Sequence, residues 1–410
     1  FLIFNLYVSN FKGCYPLMTN QSRSERFAGG FPDNLDAFKV LKDPRSGRNK
    51  QHYFGEILFI AIAAIICQCE GFDDMERFAK GKISWLKKYL TLPNGIPCSD
   101  TFRRVFTAIS PKRFNACFIA FTEGLQGDFH SQLIAIDGKA LRHSFDKASE
   151  RSHLHLLSAF ACDHGLSLAQ LAVDEKSNEI NAVPELLDML DIEGHTVSLD
   201  AMGCQKKIAQ KIHLAHGDYL LALKGNHPHL HQRVEQFFSQ GGAMKHAQDH
   251  GAKFSSVELK NKGHGRIENR VVLATDALDW IDKNERESWL GLKSIVCVES
   301  YREEVTSGGK STERRYYLSS HEPEAEKLQS LIRHHWSIEN SCHWILDVVW
   351  DEDSSRIRKG NAAENVALLR KMALNLLKSD TTVKDSIRGK RMRATFDEDV
   401  LAQFLGLKVR

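Results

Sequence analysis

The chain has 410 residues, 42% of them hydrophobic and 26% charged, and carries a formal net charge of +3. These values are ordinary for a globular protein with room for two or three domains, and so mild a charge permits nucleic acid as a partner without arguing for it. Nine cysteines (14, 67, 69, 98, 117, 162, 204, 297 and 342) without paired CxxC spacing exclude a zinc ribbon and a disulfide framework, and point to reduced thiols in a cytoplasm.

The apolar stretch Phe1 to Val8 lacks the basic region and small-residue cleavage site of a secretory signal, and the first methionine is Met18. Residues 1–30 therefore read as a disordered or mis-started lead-in. Residues 31–128 read as an all-helical N-terminal domain. Asp33-Asn34 can cap a helix that the breaker Asp43-Pro44-Arg45-Ser46-Gly47 ends. Lys42, Arg45, Arg48, Lys50 and His52 then form a basic loop. The apolar run Ile57 to Cys69 is too short to span a bilayer and reads as a buried helix. Pro97-Cys98-Ser99-Asp100 caps a helix bearing Arg103 and Arg104, and Ser110-Pro111 opens another. This pair is compatible with a DNA-docking unit and equally with a plain bundle that has a solvated face.

From residue 129 to 378 the pattern alternates. Leu133–Asp137, Leu154–Ala161 and Leu166–Val173 read as three strands, with Asp163-His164-Gly165 as a hairpin turn. A helix over Glu179–Leu190, a strand ending on Asp200, a helix over Gln205–His213, a strand over Tyr219–Lys224 and a helix opening at Pro228 come next. The order β-β-β-α-β-α-β-α is that of an RNase-H-like mixed α/β sheet. Residues 240–325 break this alternation with four strand-like stretches and the basic segment Lys260–Arg266, and read as a β-rich insertion. Helical spacing resumes at Glu324 and again over Ala362–Leu377; residues 379–410 read as a basic tail with Lys384, Arg388, Lys390, Arg391 and Arg393.

Asp137, followed by Gly138 and Lys139, sits at the end of an apolar run, where it reads either as a strand-terminating turn or as a functional carboxylate. Asp200 occupies the same place in the fourth strand. Carboxyl ends of adjacent parallel strands converge on one crevice, and two carboxylates meeting there repel unless a cation lies between them. Hard oxygen ligands favour Mg²⁺ or Mn²⁺. Glu339 is the candidate third ligand, on a helix where positions 335, 339 and 343 share a face with histidines at both ends. Each histidine reads as well as a satisfied helix partner.

Four segments carry a resemblance: Asp137-Gly138-Lys139, Leu199–Gln205, Tyr219–Asn226, and His335-Trp336-Ser337-Ile338-Glu339-Asn340 with His343–Val348. In that order they resemble the bacterial insertion-sequence DDE transposases that include the H-repeat-associated proteins, over residues 30 to 378. The resemblance implies an RNase-H-like catalytic domain and a triad of Asp137, Asp200 and Glu339 holding two Mg²⁺ (or Mn²⁺) ions. It also implies DNA cleavage at transposon ends and strand transfer into target DNA. Related cut-and-paste transposases place Tyr, Arg and Lys around the glutamate where this chain has Ile332, His335 and Leu346.

Lys139, Arg142, Lys224, Arg266, Arg333, His335, Trp336 and His343 are the candidate DNA contacts. Two ends must be brought together, so a homodimer is expected on DNA. The alternatives are a decayed or repurposed element acting as a DNA-binding protein, and a nuclease of the same fold without strand transfer. A zinc hydrolase would need HExxH or comparable spacing, which is missing.

Overall fold

The structure is a computed structural model that describes residues 33–46, 50–125, 132–144, 153–173, 179–263, 266–305 and 308–407. The lead-in, Arg48 and the centre of the basic segment at 264–265 lie outside these residues. A 3-10 turn over Asp33–Val40 opens the described chain. Helices follow at Phe54–Ile66 (α1), Phe72–Gly81 (α2), Ile83–Leu86 (α3), Ser99–Ala108 (α4) and Pro111–Leu125 (α5). The run expected to be a core helix is α1, which buries every residue but Gly55. Its Glu56 is buried too, and its Oε1 accepts from the N–H groups of Thr91 (2.7 Å) and Leu92 (3.0 Å) and from the Thr91 hydroxyl (2.8 Å), while Oε2 has no hydrogen-bond partner. Among the described residues no helix is long and apolar enough to cross a membrane.

Strands β1 (Leu133–Leu141), β2 (Leu154–Ala161) and β3 (Leu166–Val173) form the expected antiparallel meander. Helix α6 (Glu179–Asp188) leads to β4 (Thr196–Leu199), and α7 (Lys206–Leu214) leads to β5 (Asp218–Leu223). β4 and β5 add in parallel, giving the local order β3-β2-β1-β4-β5. Helices α8 (Pro228–Phe238) and α9 (Gly242–His250) precede β6 (Phe254–Gly263) and β7 (Arg266–Thr275). After α10 (Lys283–Ser288) come β8 (Ser294–Glu304) and β9 (Lys310–Ser319). The four stretches read as strands from the sequence (Ser255–Leu259, Arg270–Ala274, Ser294–Ser300 and Arg315–Leu318) are strands, each longer than expected. They do not form a separate sheet: β9 pairs antiparallel with β5, and one nine-stranded sheet runs β3-β2-β1-β4-β5-β9-β8-β7-β6. Adding to the free edge of β5 satisfies backbone groups that an isolated insertion would leave unpaired.

The C-terminal part folds as α11 (Ala325–His335), a π-helical turn at Glu339–His343, α12 (Trp344–Trp350), α13 (Ala362–Ser379), α14 (Ile387–Phe396) and α15 (Glu398–Phe404). Where a basic tail was expected, Leu401, Ala402, Phe404 and Leu405 join the same apolar core as α1, α4, α5 and α13. Two of the expected surface cations are buried. Arg391 lies over the Trp350 ring (4.3 Å) and donates to the carbonyls of Ile65 (3.2 Å), Ile66 (3.4 Å) and Val349. Lys390 donates to the carbonyls of Leu377 and Asp380. The cations serve helix ends whose last carbonyls have no partner inside the helix, so their charge reads as surface in the sequence and as glue in the fold.

Helix α13 ties the helical part to the sheet. Its Asn365 donates to the carbonyls of Phe106 (2.8 Å) and Ile109 (3.0 Å) at the end of α4. Its Asn375 exchanges hydrogen bonds with the backbone of Ser167 in β3 (3.0 and 2.9 Å), and Lys371 reaches Ser158 and Gln170 across β2 and β3. Arg391→Ala should lower unfolding stability by about 2–3 kcal/mol, since it strips buried charge-assisted bonds. In urea denaturation, Arg393→Ala, an exposed neighbour paired with Asp385, should leave the midpoint unchanged.

Candidate active site

The parallel ladder between β1 and β4 ends at the pair Ile136↔Leu199, so the next residues along the two strands, Asp137 and Asp200, are level with each other. Side-chain alternation sets their direction. Ile134, Ile136, Val197 and Leu199 face the core made with α6 and α7, while Ala135 packs on the other side with Ile338 and Cys342. Asp137 continues the Ala135 face, towards Glu339 and His343. β1 does not end at Asp137. It runs on to Leu141 paired with β2, with Asp137 opposite Ser158, so the strand-terminating Asp-Gly turn is excluded.

Asp200 is held by its own turn: the N–H groups of Met202 (3.0 Å) and Gly203 (3.3 Å) donate to its Oδ1. That turn requires glycine, because a Cβ on Gly203 would meet Leu199 Cδ2 at 2.5 Å and Cβ at 2.7 Å. Glu339 opens the π-helical turn, and its carboxylate is half exposed. A π turn inserts one residue into a helix and re-aims the side chains beyond it, a distortion found most often at functional sites. Here it buries His343 beneath the glutamate, with Nδ1 at 3.5 Å from Glu339 Oε2 and 3.6 Å from Asp137 Oδ2.

Burial drives the Asp137 carboxyl above its usual range, and the charges of Asp200 and Glu339 push the same way against the opposing pull of His343. One ligand atom each from Asp137, Glu339 and His343 lie within 4.8 Å of one another. His343 Nε2 is buried without a hydrogen-bond partner. A half-buried carboxyl whose charge its carboxylate neighbours disfavour, beside an imidazole, fits a divalent cation.

Three of the expected DNA contacts are otherwise engaged. Lys139 is half-buried and paired with Asp347 and with Glu352 (3.0 Å), and Glu352 in turn lies 3.7 Å from Arg370. Although burial opposes the charge on Lys139, the two carboxylates raise its pKa, so its ammonium is spent inside the protein. His335 shares a 2.7 Å hydrogen bond with Ser198 on β4, and burial lowers its pKa to about 4 despite the nearby Asp200. A neutral imidazole gives a phosphate no charge. His343 faces carboxylates rather than solvent. The remaining candidates stay on the surface: Arg142 (3.4 Å from Asp353), Lys224 just after β5, Arg266 at the start of β7, Arg333 and Trp336. Trp336 is 47% exposed, with the Arg315 guanidinium 5.3 Å from its ring. Sequence reasoning missed Ser198 and Glu352 as partners of the site; the only local signal for Glu352 is an acidic run from Asp351 to Asp353 just after the largely apolar Trp344–Trp350.

Asp137 and Glu339 thus come together with His343 over the mixed sheet, while Asp200, level with Asp137 where the ladder stops, lies outside that close cluster. The family described as "Transposase DDE domain" matches residues 128–376, and the "DDE_Tnp_1-associated" family matches residues 35–122. The chain belongs to the DDE transposase family, as its motifs implied. It is 40% identical over 373 residues to the "H repeat-associated putative transposase YhhI" of Escherichia coli (strain K12), covering 90% of this chain and 97% of that one. It is 42% identical over 301 residues to an uncharacterized protein in the dhlA 3' region of Xanthobacter autotrophicus, covering 72% of this chain and 98% of that one. A piggyBac transposase synaptic complex with hairpin DNA aligns with 91% of this chain and 76% of its own, at a TM-score of 0.40 and 12% identity. That likeness is too distant to assign a fold.

Lys139→Ala leaves Glu352, which is 2% exposed, with only the longer contact to Arg370. Urea denaturation should show a loss of about 3 kcal/mol. The raised pKa of Asp137 gives a second expectation. The folded state holds this proton more tightly than the unfolded chain, so metal-free stability is highest below the ordinary carboxyl value and falls as pH rises through the raised one. Asp137→Asn should remove that slope and raise the metal-free melting temperature at pH 7.

Proposed function

We propose that this protein is an active transposase that cuts DNA at the ends of its element and joins the freed ends to target DNA. The face shared by Asp137, Asp200 and Glu339 carries the reading. It rests on two carboxylates brought level where the β1–β4 ladder stops, and on a third from the helix lying over that edge. In this reading residues 129–378 are an RNase-H-like catalytic domain and the four-stranded insertion precedes the catalytic glutamate. The helical segment before it forms a DNA-docking domain.

Asp137, Asp200 and Glu339 would hold two Mg²⁺ or Mn²⁺ ions, which when bound stabilise the charge on the attacking and leaving oxygens of an in-line displacement. The rest falls to the chain. The Met202 and Gly203 amides fix one Asp200 oxygen and leave the other free to ligate. His343 spans Asp137 and Glu339 and keeps the two carboxylates together. Water attacks the phosphodiester at the element end, and the P–O bond breaks to release a 3′-hydroxyl. That hydroxyl attacks a target phosphodiester, exchanging one P–O bond for another without a protein–DNA bond. In this reading Arg142, Lys224, Arg333 and Trp336 position the backbone near the centre, and Arg266 grips it farther out, at the end of the β6–β7 hairpin. Two ends cut in concert call for two copies of the chain on DNA.

The runner-up is a repurposed element that binds DNA without cutting it, favoured by one observation. Ile332 and Leu346 are buried and His335 is neutral, so the positions that carry Tyr, Arg and Lys in related enzymes offer no phosphate contact here. Mg²⁺-dependent nicking of a terminal-repeat duplex separates the two. Asp137→Asn, Asp200→Asn and Glu339→Gln should each reduce nicking by about 10³-fold or more while leaving DNA binding intact. Equal nicking by wild type and Asp200→Asn would sink the catalytic assignment. Pre-cleaved ends incubated with supercoiled target should yield joined product; cleavage without joining would mark a plain nuclease instead.

A further inference from the structure

We propose that His246, His250 and Asp279 form a second metal site, apart from the acidic centre, for a divalent transition metal of the zinc class. His246 and His250 lie four residues apart on α9, one turn above the other, and Asp279 reaches them from the segment after β7. Ligand atoms from the three side chains lie within 4.8 Å of one another. His246 Nε2 is 2.8 Å from Asp279 Oδ1, and the two imidazole rings stack at 4.0 Å with 17° between their planes. A tetrahedral ion with bonds of about 2.0–2.1 Å to nitrogen and 2.0–2.2 Å to oxygen sets its ligand atoms about 3.3 Å apart. The trio is thus within about 1.5 Å of that spacing.

The tautomer is also prepared. His250 Nδ1 lies 2.9 Å from the His246 carbonyl oxygen, which can only accept, so the proton sits on Nδ1 and leaves the Nε2 lone pair for a metal. Behind the site is a fixed aromatic wall. Phe237 meets His246 edge-on at 5.4 Å and stacks on Trp280 at 4.6 Å, and Trp280 Nε1 donates to the Ala277 carbonyl at 2.7 Å. Two imidazoles and one carboxylate suit zinc, nickel or copper and do not suit magnesium, so this site does not compete for the ion of the acidic centre.

The chain between His250 and Asp279 is the β6–β7 hairpin, whose exposed far end carries Lys260, Lys262 and Arg266. Its base is already closed by Lys253 N–H to Asp276 (2.7 Å) and by the Thr275 hydroxyl to the Lys253 carbonyl (2.8 Å). An ion bridging α9 to Asp279 adds a clip at that base and holds the basic arm in one direction.

Titration of ZnCl₂ into the full chain already saturated with Mg²⁺, followed by calorimetry, tests this. One Zn²⁺ per chain is expected. Its affinity should be unchanged in Glu339→Gln and at least tenfold lower in His250→Ala and in Asp279→Asn. These two side chains are exposed, and unchanged circular dichroism will show that both variants fold. Co²⁺ in place of Zn²⁺ should give the visible absorption of a tetrahedral site in wild type and lose it in His250→Ala. Zinc binding that is absent, that survives the His250 and Asp279 changes, or that vanishes in Glu339→Gln would overturn the proposal and leave the trio as a hydrogen-bonded His–Asp pair.

Discussion

The centre depends on where one ladder stops. β1 and β4 pair in parallel for four residues and part after Ile136↔Leu199, and the carboxylates next in line have no choice but to sit side by side. Burial first, and then the charges of Asp200 and Glu339, oppose ionisation of Asp137 in the absence of a cation. The surrounding structure offsets this through neighbours that cost little. Asp200 takes two amide hydrogen bonds from its own turn, and His343 stands between Asp137 and Glu339. Gly203 makes that turn possible because no Cβ fits against Leu199.

The third carboxylate is positioned by packing from far away. Glu339 belongs to a helix whose buried side carries Ile338, Cys342, Leu346 and Trp350, and these join the core formed by α1, α4, α5, α13 and the C-terminal helices. The helical N-terminal segment therefore does more than present a surface: it forms part of the bed on which the glutamate's helix rests. Arg391, threaded between α1 and α12, binds carbonyls of both. A charge buried in this way is tolerated because each of its three nitrogens has an acceptor. Lys139 plays the same part nearer the centre, joining the strand of Asp137 to Asp347 and Glu352 beyond the glutamate.

The insertion extends the sheet instead of standing beside it. Because β9 takes the edge of β5, strands β6 to β8 are carried outward in a continuous plane, and the β6–β7 hairpin projects its basic end at the far margin. Lys224, at the end of β5, lies where the first five strands meet this extension.

The strands and most helices are legible along the chain alone, because their apolar spacing is local: β-branched runs over Leu133–Ile136 and Thr196–Leu199, helical spacing over Glu179–Asp188 and Ala325–His335. The two aspartates are legible for the same reason, since a carboxylate after a run of four buried residues is unusual wherever it occurs. The partner and charge state of each polar group emerge only on folding. Lys139 and Asp347 are 208 positions apart, and no pattern along the chain joins them. His335 is neutral because β4 and its neighbours bury it, which no residue beside it in sequence foretells. Arg391 and Lys390 look like any basic surface until the helices they cap are folded against them. Secondary structure arises from short-range spacing, whereas burial, pairing and protonation depend on contacts made across the whole chain.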